Sequence, residues 1–583
     1  MKAFTTLGKL PWKESCINKR NLMRVSAFAC LPVLWLFAGL ATPTLCQLPP
    51  ASLSLTEVEA KYADLRDAHG VLEAIDSGLF KTYQGKDRAA WNQFYHQKRA
   101  EVATALANQS SENLSSADAR ALSLMRKHLE LHLPEKIEDS PTDQPSGHCQ
   151  DAPRKDLPAA KLEGALYSCF DEIGNNLHFE GARVTRVAAF DLLATIDDPA
   201  RRKALFLAFL PLWVSINDQN QPDSPYRRRI KLAAADAALH GSEIDAAART
   251  LGIHSEDVER WLERILDTWR QANPDQRIEP WDYSYLYGQA DRALASAVRR
   301  ESFLPVAQHY YHDLGADLKE LGVLYDLDPR PGKAPAAYMD FVTYGRMIDG
   351  AWRSAVVRVS ANYTTGGLSL LNEFVHENGH AVHGAALRNR PAFNSMDDSL
   401  FIESFADVTS WDTYDPSWQQ KYLGRSVPES DSLRSQYSNV MLDVAWALFE
   451  FRMLKTPDAD PNAVWTEITS RYLHIVSHPE WSWWAERVQL TSPGYMVNYG
   501  LGAVLTADIR QHTRESIGPF QTGNLHWYPW ISDNLLRFGS EFETSDLLRN
   551  FLARPVSPQA LMNDIHRVSR PAAKSDAPPT PKP

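Results

Sequence analysis

A chain of 583 residues, 44% hydrophobic and 23% charged, has ample apolar content for a large packed core, which argues against a disordered or collagen-like protein. Its 61 Lys and Arg against 72 Asp and Glu leave a net charge of −11, and no basic block lies beyond the N-terminus. A nucleic-acid partner, which needs a basic stripe for its phosphates, is therefore disfavoured, and peptides or other small substrates fit better.

The first element is an export signal. Lys9, Lys13, Lys19, Arg20 and Arg24 precede the apolar run Val25 to Ala41, which is short and interrupted by proline. Small residues at the −1 and −3 positions allow cleavage after Ala41 or after Cys46, and Met23 is an alternative start. The expectation is a signal peptide over residues 1–46 and a secreted or periplasmic protein with no stable membrane association; an uncleaved anchor is the alternative. A lipid anchor on Cys46 is disfavoured by the bulky Leu45 before it. Of five cysteines, Cys149 and Cys169 remain in the mature body. In an oxidising compartment they are a disulfide candidate worth ~3 kcal/mol, with two unrelated buried thiols as the alternative.

No internal repeat or long Ser/Gly linker divides the rest, so residues 47–570 read as one unit, with a helical N-terminal half over about 47–270 and a second half over about 271–570. Apolar residues recur every three or four positions from Ser54 to about Leu133. A Pro- and Asp-rich loop follows, and helical patterning resumes through "RRKALFLAFLPLWVSI", "GSEIDAAARTLGIHSEDVERWLERILDTWRQA" and "ADRALASAVRRESFLPVAQHYYHDLGADLKELG". After a loop at "DLDPRPGKAPAA", the segment "SAVVRVSANYTTGG" alternates: Ala355, Val357 and Val359 point one way, Val356 and Arg358 the other. The tail, residues 571–583, is disordered by composition. The predicted fold is mainly α, with a small sheet just before the most unusual helix in the chain.

That helix is "NEFVHENGHAVHGAAL" (Asn372 to Leu387), which holds three of only 18 histidines. His376 and His380 stand four apart and so project from one helical face, close enough to share a metal ion. With Glu377 they form H-E-x-x-H, the zinc-peptidase pattern in which two neutral imidazoles bind Zn²⁺ and the glutamate serves a water as general base. A catalytic zinc needs a third protein ligand, and Glu403, in the apolar run "DSLFIESFADVTSWD", is the candidate. Asp407, one turn on, is placed to accept the second ring N–H of a ligating histidine. An exposed acidic face is the plain alternative for both carboxylates. Gly379 carries a helix penalty of about 1 kcal/mol relative to alanine, which implies that something approaches closely there. His383 reads as a core residue or a neighbour of the ligands.

"HENGHAVHG" resembles the H-E-x-G-H-x-x-H signature of the thimet oligopeptidase family, and "FIESFADV" resembles the E-x-x-x-D segment of the related angiotensin-converting-enzyme family; both are gluzincin zinc peptidases. "EPWDYSYLYG", "SPGYMVNYGLGAVLTADI" and "LLRFGSEFETSDLLRNFLARPVSPQALMNDI" extend the resemblance over roughly Trp281 to Ile565. It implies a mainly α zinc-peptidase clamshell around a deep central channel. It also implies that Tyr495 and Tyr499, on one helix, donate hydrogen bonds to the oxyanion; ordinary aromatic packing is the alternative. "VSANY" resembles the edge strand on which these peptidases lay substrate, so Ser360, Ala361 and Asn362 are expected to offer main-chain hydrogen bonds, with an internal strand as the alternative.

Two departures stand out. Where the converting enzymes have a histidine before the first tyrosine, this chain has Arg487 or Val488, and Gly502 replaces a further tyrosine of the oligopeptidases. Arg487, His478 or His512 is left to complete the oxyanion site. The lysine that anchors a substrate carboxylate in the converting enzymes matches no position. The expected activity is Zn²⁺-dependent hydrolysis of oligopeptides, of oligopeptidase or dipeptidyl-carboxypeptidase type. The alternatives are a zinc- or peptide-binding protein of the same fold with weakened catalysis, and a zinc hydrolase of non-peptide amides.

Overall fold

The computed structural model describes residues 53–135, 137, 148–273, 276–328 and 337–569. The expected signal peptide, the first part of the first Pro-rich loop and the C-terminal tail lie outside the described residues. Among the described residues no helix is long and apolar enough to cross a membrane.

Ser54 opens the helical N-terminal region through a capping box: its hydroxyl accepts the Glu57 N–H at 3.3 Å while the Glu57 carboxylate accepts the Ser54 N–H at 2.7 Å. Helices α1 (Leu55–Asp76), α2 (Arg88–Ala107) and α3 (Ser116–Leu131) follow, the latter two capped by Asp87 and Ser115. They surround a small core of Val58, Leu65, Tyr95 and Met125 that is completed by Val342, Ala392 and Phe393 from far along the chain. This region is thus built onto the body and does not close a core of its own. Helix α4 (Arg186–Thr195) belongs to the main core.

Three strands make the small sheet: β1 (Val323–Asp326), β2 (Tyr338–Thr343) and β3 (Val356–Ser360), in the order β1-β3-β2. The β-branched Val356, Val357 and Val359 suit this central position. Arg358 is 1% exposed and donates to Asp340, its register partner on β2, at 2.9 Å. One expectation is corrected here: β3 is not an edge. Ser360 pairs with Asp326 on one side and Tyr338 on the other, and the Ala361 N–H donates to the Asp326 carbonyl at 2.9 Å. The ladder that Ser360 and Ala361 were expected to offer a substrate is occupied by the protein itself, and Asn362 lies past its last pair.

Beyond the sheet run α5 (Leu368–Ala386), α6 (Ser399–Ser410), α7 (Glu429–Lys455), α8 (Val497–Gly500) and α9 (Gly502–Ile517). α5 is buried along nearly its whole length, flanked by the sheet and α6. The molecule is mainly helical, as the periodicity predicts.

Cys149 and Cys169 are joined by a disulfide that closes a 20-residue separation and ties a short helical turn to the helix Ala159–Glu172. Replacing both by serine is expected to lower stability by ~2–4 kcal/mol. Denaturant unfolding checks this as a lower midpoint; a midpoint equal to wild type would show that the crosslink does not stabilise the fold.

Candidate metal centre

Helix α5 is held on several sides. The Asn372 amide donates to the Ser410 carbonyl at 2.6 Å, the Tyr311 hydroxyl donates to the Val375 carbonyl at 2.8 Å, and the Tyr325 hydroxyl donates to Asn378 at 2.6 Å. α6 begins where the Asp398 carboxylate accepts the Phe401 N–H at 3.0 Å. The two helices meet at Gly379. A β-carbon there would lie 2.8 Å from Ala406 Cα and 2.9 Å from its carbonyl oxygen, so glycine is what lets the backbones touch.

That contact sets Glu403 of α6 against the two histidines of α5. His376 Nε2 lies 3.3 Å and His380 Nε2 3.8 Å from Glu403 Oε2, and ligand atoms of the three residues all fall within 4.8 Å of one another. This is the one such cluster among the described residues. Asp407 Oδ1 accepts the His376 Nδ1–H at 2.8 Å and the Ser410 hydroxyl at 2.9 Å, which turns the Nε2 lone pair toward Glu403. Glu377 is fully buried beside them.

A divalent cation fits this donor set. His376 Nε2, both nitrogens of His380 and both oxygens of Glu377 are buried without a hydrogen-bond partner, which an apolar interior does not tolerate unless something else is bound. Two imidazoles and a carboxylate are the ligand types that zinc takes at catalytic sites. The electrostatics agree. Burial works against protonation of His376, but the hydrogen bond and charge of Asp407, then Glu403, outweigh it and hold the imidazole up at about 10. Burial, then the charge of His376, pushes His380 well below the usual histidine range, and burial pushes Glu377 well above the usual carboxylate range. A dication among these groups would favour neutral imidazoles and an ionised Glu377 together.

His383 packs edge-on against Phe401 and Phe405 at 5.4 and 5.2 Å, and burial lowers it to about 3, so it belongs to the core. Tyr495 and Tyr499 meet at 5.8 Å between ring centres. They do not share a helix: the Pro493-Gly494 pair breaks the chain, leaving Tyr495 in a turn and only Tyr499 on α8. Burial raises the Tyr495 hydroxyl far above its usual range, and the charge of Glu403 adds to this. Arg487 is paired with Asp443 and lies 4.8 Å over Trp446. The other two residues left open are elsewhere. His478 is engaged by Glu279 and Glu480 at 2.9 and 2.8 Å, and His512 packs on Phe551 at 4.8 Å. Sequence reasoning missed Glu450 on α7, whose carboxylate accepts the Met496 N–H at 2.8 Å and holds the tyrosine segment; a lone glutamate inside "AWALFEF" was the available signal.

No protein-family model matches this sequence, and no curated protein is significantly similar to it. Solved structures are. An M32 carboxypeptidase from Deinococcus radiodurans R1 is 14% identical and superposes over 88% of this chain and 98% of its own, with a TM-score of 0.52. Metallocarboxypeptidase 1 of Trypanosoma cruzi is 15% identical over 89% and 99%, with a TM-score of 0.51, and a Pyrococcus furiosus carboxypeptidase is 13% identical over 88% and 99%, with a TM-score of 0.50. At these identities what is shared is the fold: this chain has the mainly helical architecture of the M32 carboxypeptidase.

Proposed function

We propose that this protein is a zinc-dependent metallopeptidase that hydrolyses peptide bonds in oligopeptides. The observation that carries the reading is the buried meeting of His376, His380 and Glu403 beside an unpartnered Glu377. His376, His380 and Glu403 would hold the zinc, which when bound supplies Lewis acidity to a carbonyl and lets water ionise near neutral pH. Glu377 takes the proton of the attacking water and passes it to the leaving amine. Tyr495 and Tyr499 donate to the oxygen on which negative charge develops. Asp407 fixes the orientation of His376.

The fold shared with proteins named carboxypeptidases supports cleavage near a carboxyl end, whereas the motif resemblance supports internal or dipeptidyl cuts. A disulfide in the body and a signal-like N-terminus support a secreted or periplasmic location. A binding protein with a structural ion has no use for a buried, unpartnered Glu377.

The test is turnover of quenched-fluorescent peptides by chelator-stripped and zinc-reconstituted protein, with products read by mass spectrometry. Turnover is expected only in the reconstituted sample, and one zinc per chain without turnover of any peptide would sink the proposal. Asp407→Asn is expected to weaken zinc binding by about 10–100-fold, since it removes the charge that orients His376. Competition with a chromophoric chelator measures this, and unchanged affinity would remove Asp407 from the site.

A further inference from the structure

One turn before His376 on α5, the Glu373 side chain lines a cavity that it shares with Asp191 of α4, Arg186, Glu486, Arg487 and Trp446. Glu373 is only 9% exposed, yet it makes no hydrogen bond and no ion pair among the described residues. Asp191 faces it, half-buried, with one contact of 3.4 Å from the Ser369 hydroxyl. Asp291 stands behind, where it caps the start of α5 by accepting the Ser369 N–H at 3.0 Å. Helix capping therefore accounts for Asp291 but leaves Asp191 and Glu373 without a cation within ion-pair distance among the described residues. Burial raises Glu373 to about 8, with the charge of Asp191 adding to it and that of His376 working against it, and burial raises Asp191 to about 6, with Asp291 adding.

Arg186 and Arg487 also line the cavity, but each is engaged by another group. Arg186 donates to the Glu486 carbonyl at 3.1 Å and its charge acts on Glu486 and Arg487, while Arg487 is paired with Asp443. Glu486 Oε1, of a residue on the cavity wall, is buried without a hydrogen-bond partner. A carboxylate buried as deeply as Glu373, on a cavity wall shared with a second carboxylate and with no ion pair to either among the described residues, is unfavourable unless a ligand supplies a cation. Asp191, Asp291 and Glu373 do not bring three ligand atoms together as the histidine site does.

We propose that Asp191 and Glu373 form a subsite that takes a cationic group of the peptide substrate, an ammonium or a guanidinium. The inference rests on the peptidase reading, and it specifies which peptides that site selects. The cation has two sources, a Lys or Arg side chain or the free amino terminus, and both present N–H donors to paired carboxylates.

The test uses peptide pairs that differ only by Lys against norleucine, scanned along the sequence, each with a free or an acetylated amino terminus. They are compared as kcat/KM for zinc-loaded wild type, Glu373→Gln and Asp191→Asn. In parallel, binding of the same pairs to Glu377→Gln is followed by tryptophan fluorescence, since Trp446 and Trp483 line the cavity. Preference for lysine at one position, or for the free terminus, is expected to be about tenfold or more and to fall toward parity in both variants. The two sources separate by which pair discriminates. Equal turnover and equal binding within every pair, or a preference undiminished in both variants, would overturn the subsite. Discriminating binding without turnover would uphold it while removing the peptidase reading.

Discussion

Glu377→Gln is expected to retain one zinc per chain and to lose about 10²- to 10⁴-fold in kcat on any peptide that the wild type cleaves. The side chain is fully buried, both of its oxygens lack hydrogen-bond partners, and it lies next to His376 without being one of the three residues whose ligand atoms converge. Glutamine keeps that volume and shape but has no carboxylate to receive a proton, so the change removes proton transfer and leaves metal binding alone. Because substrate contacts are untouched, KM is expected to change little, which is the signature of an interaction made in the transition state. Stopped or continuous assays on the quenched peptides, with zinc measured on the same samples, check both halves. Turnover equal to wild type would exclude Glu377 as the base; turnover lost together with zinc would make it a structural residue.

The parts of this site that could be read from the sequence are those governed by helical period. The spacing of His376 and His380 puts them on one face whatever the tertiary fold, and the same period sets Asp407 one turn from Glu403. Gly379 announced a close approach through its penalty alone. What the period cannot supply is which segments become neighbours. Whether β3 is an edge depends on β1, more than thirty residues earlier and parallel to it, so the substrate strand expected at Ser360 to Asn362 was not decidable locally. Tyr495 was a different failure: Pro493-Gly494 is a turn signal, and giving it more weight than the tyrosine spacing would have put the residue outside a helix. Choosing among Arg487, His478 and His512 required knowing that Glu279, nearly two hundred residues away, occupies His478. Glu373 and Asp191 likewise meet only because α4 and α5 share a cavity wall.

Gly379→Ala is the substitution expected to do most damage for its size. In a free helix it would stabilise, by about 1 kcal/mol, since alanine is the better helix former. Here the new methyl would lie 2.8 Å from Ala406 Cα and 2.9 Å from its carbonyl oxygen, and both are backbone atoms that no rotamer change can move. The helices must part, and overpacking of this kind costs about 1–3 kcal/mol, which cancels or exceeds the propensity gain. The larger consequence is at the metal. Ala406 is three residues from Glu403 on the same rigid helix, so moving one moves the other away from His376 and His380, and a site that tolerates about 0.5 Å of misplacement loses a ligand. Zinc affinity is therefore expected to fall by about 10-fold or more, out of proportion to the change in thermal midpoint. Gly384→Ala separates the two effects. On the same helix, its methyl would meet the ring of Phe341 at 3.0 Å, a side chain that can give way, and it faces the sheet, not Glu403. That variant is expected to lose some stability and keep wild-type zinc affinity, as read by chelator competition and thermal unfolding on the same preparations. Equal zinc affinity in Gly379→Ala and wild type would show that the Gly379–Ala406 contact does not position the third ligand.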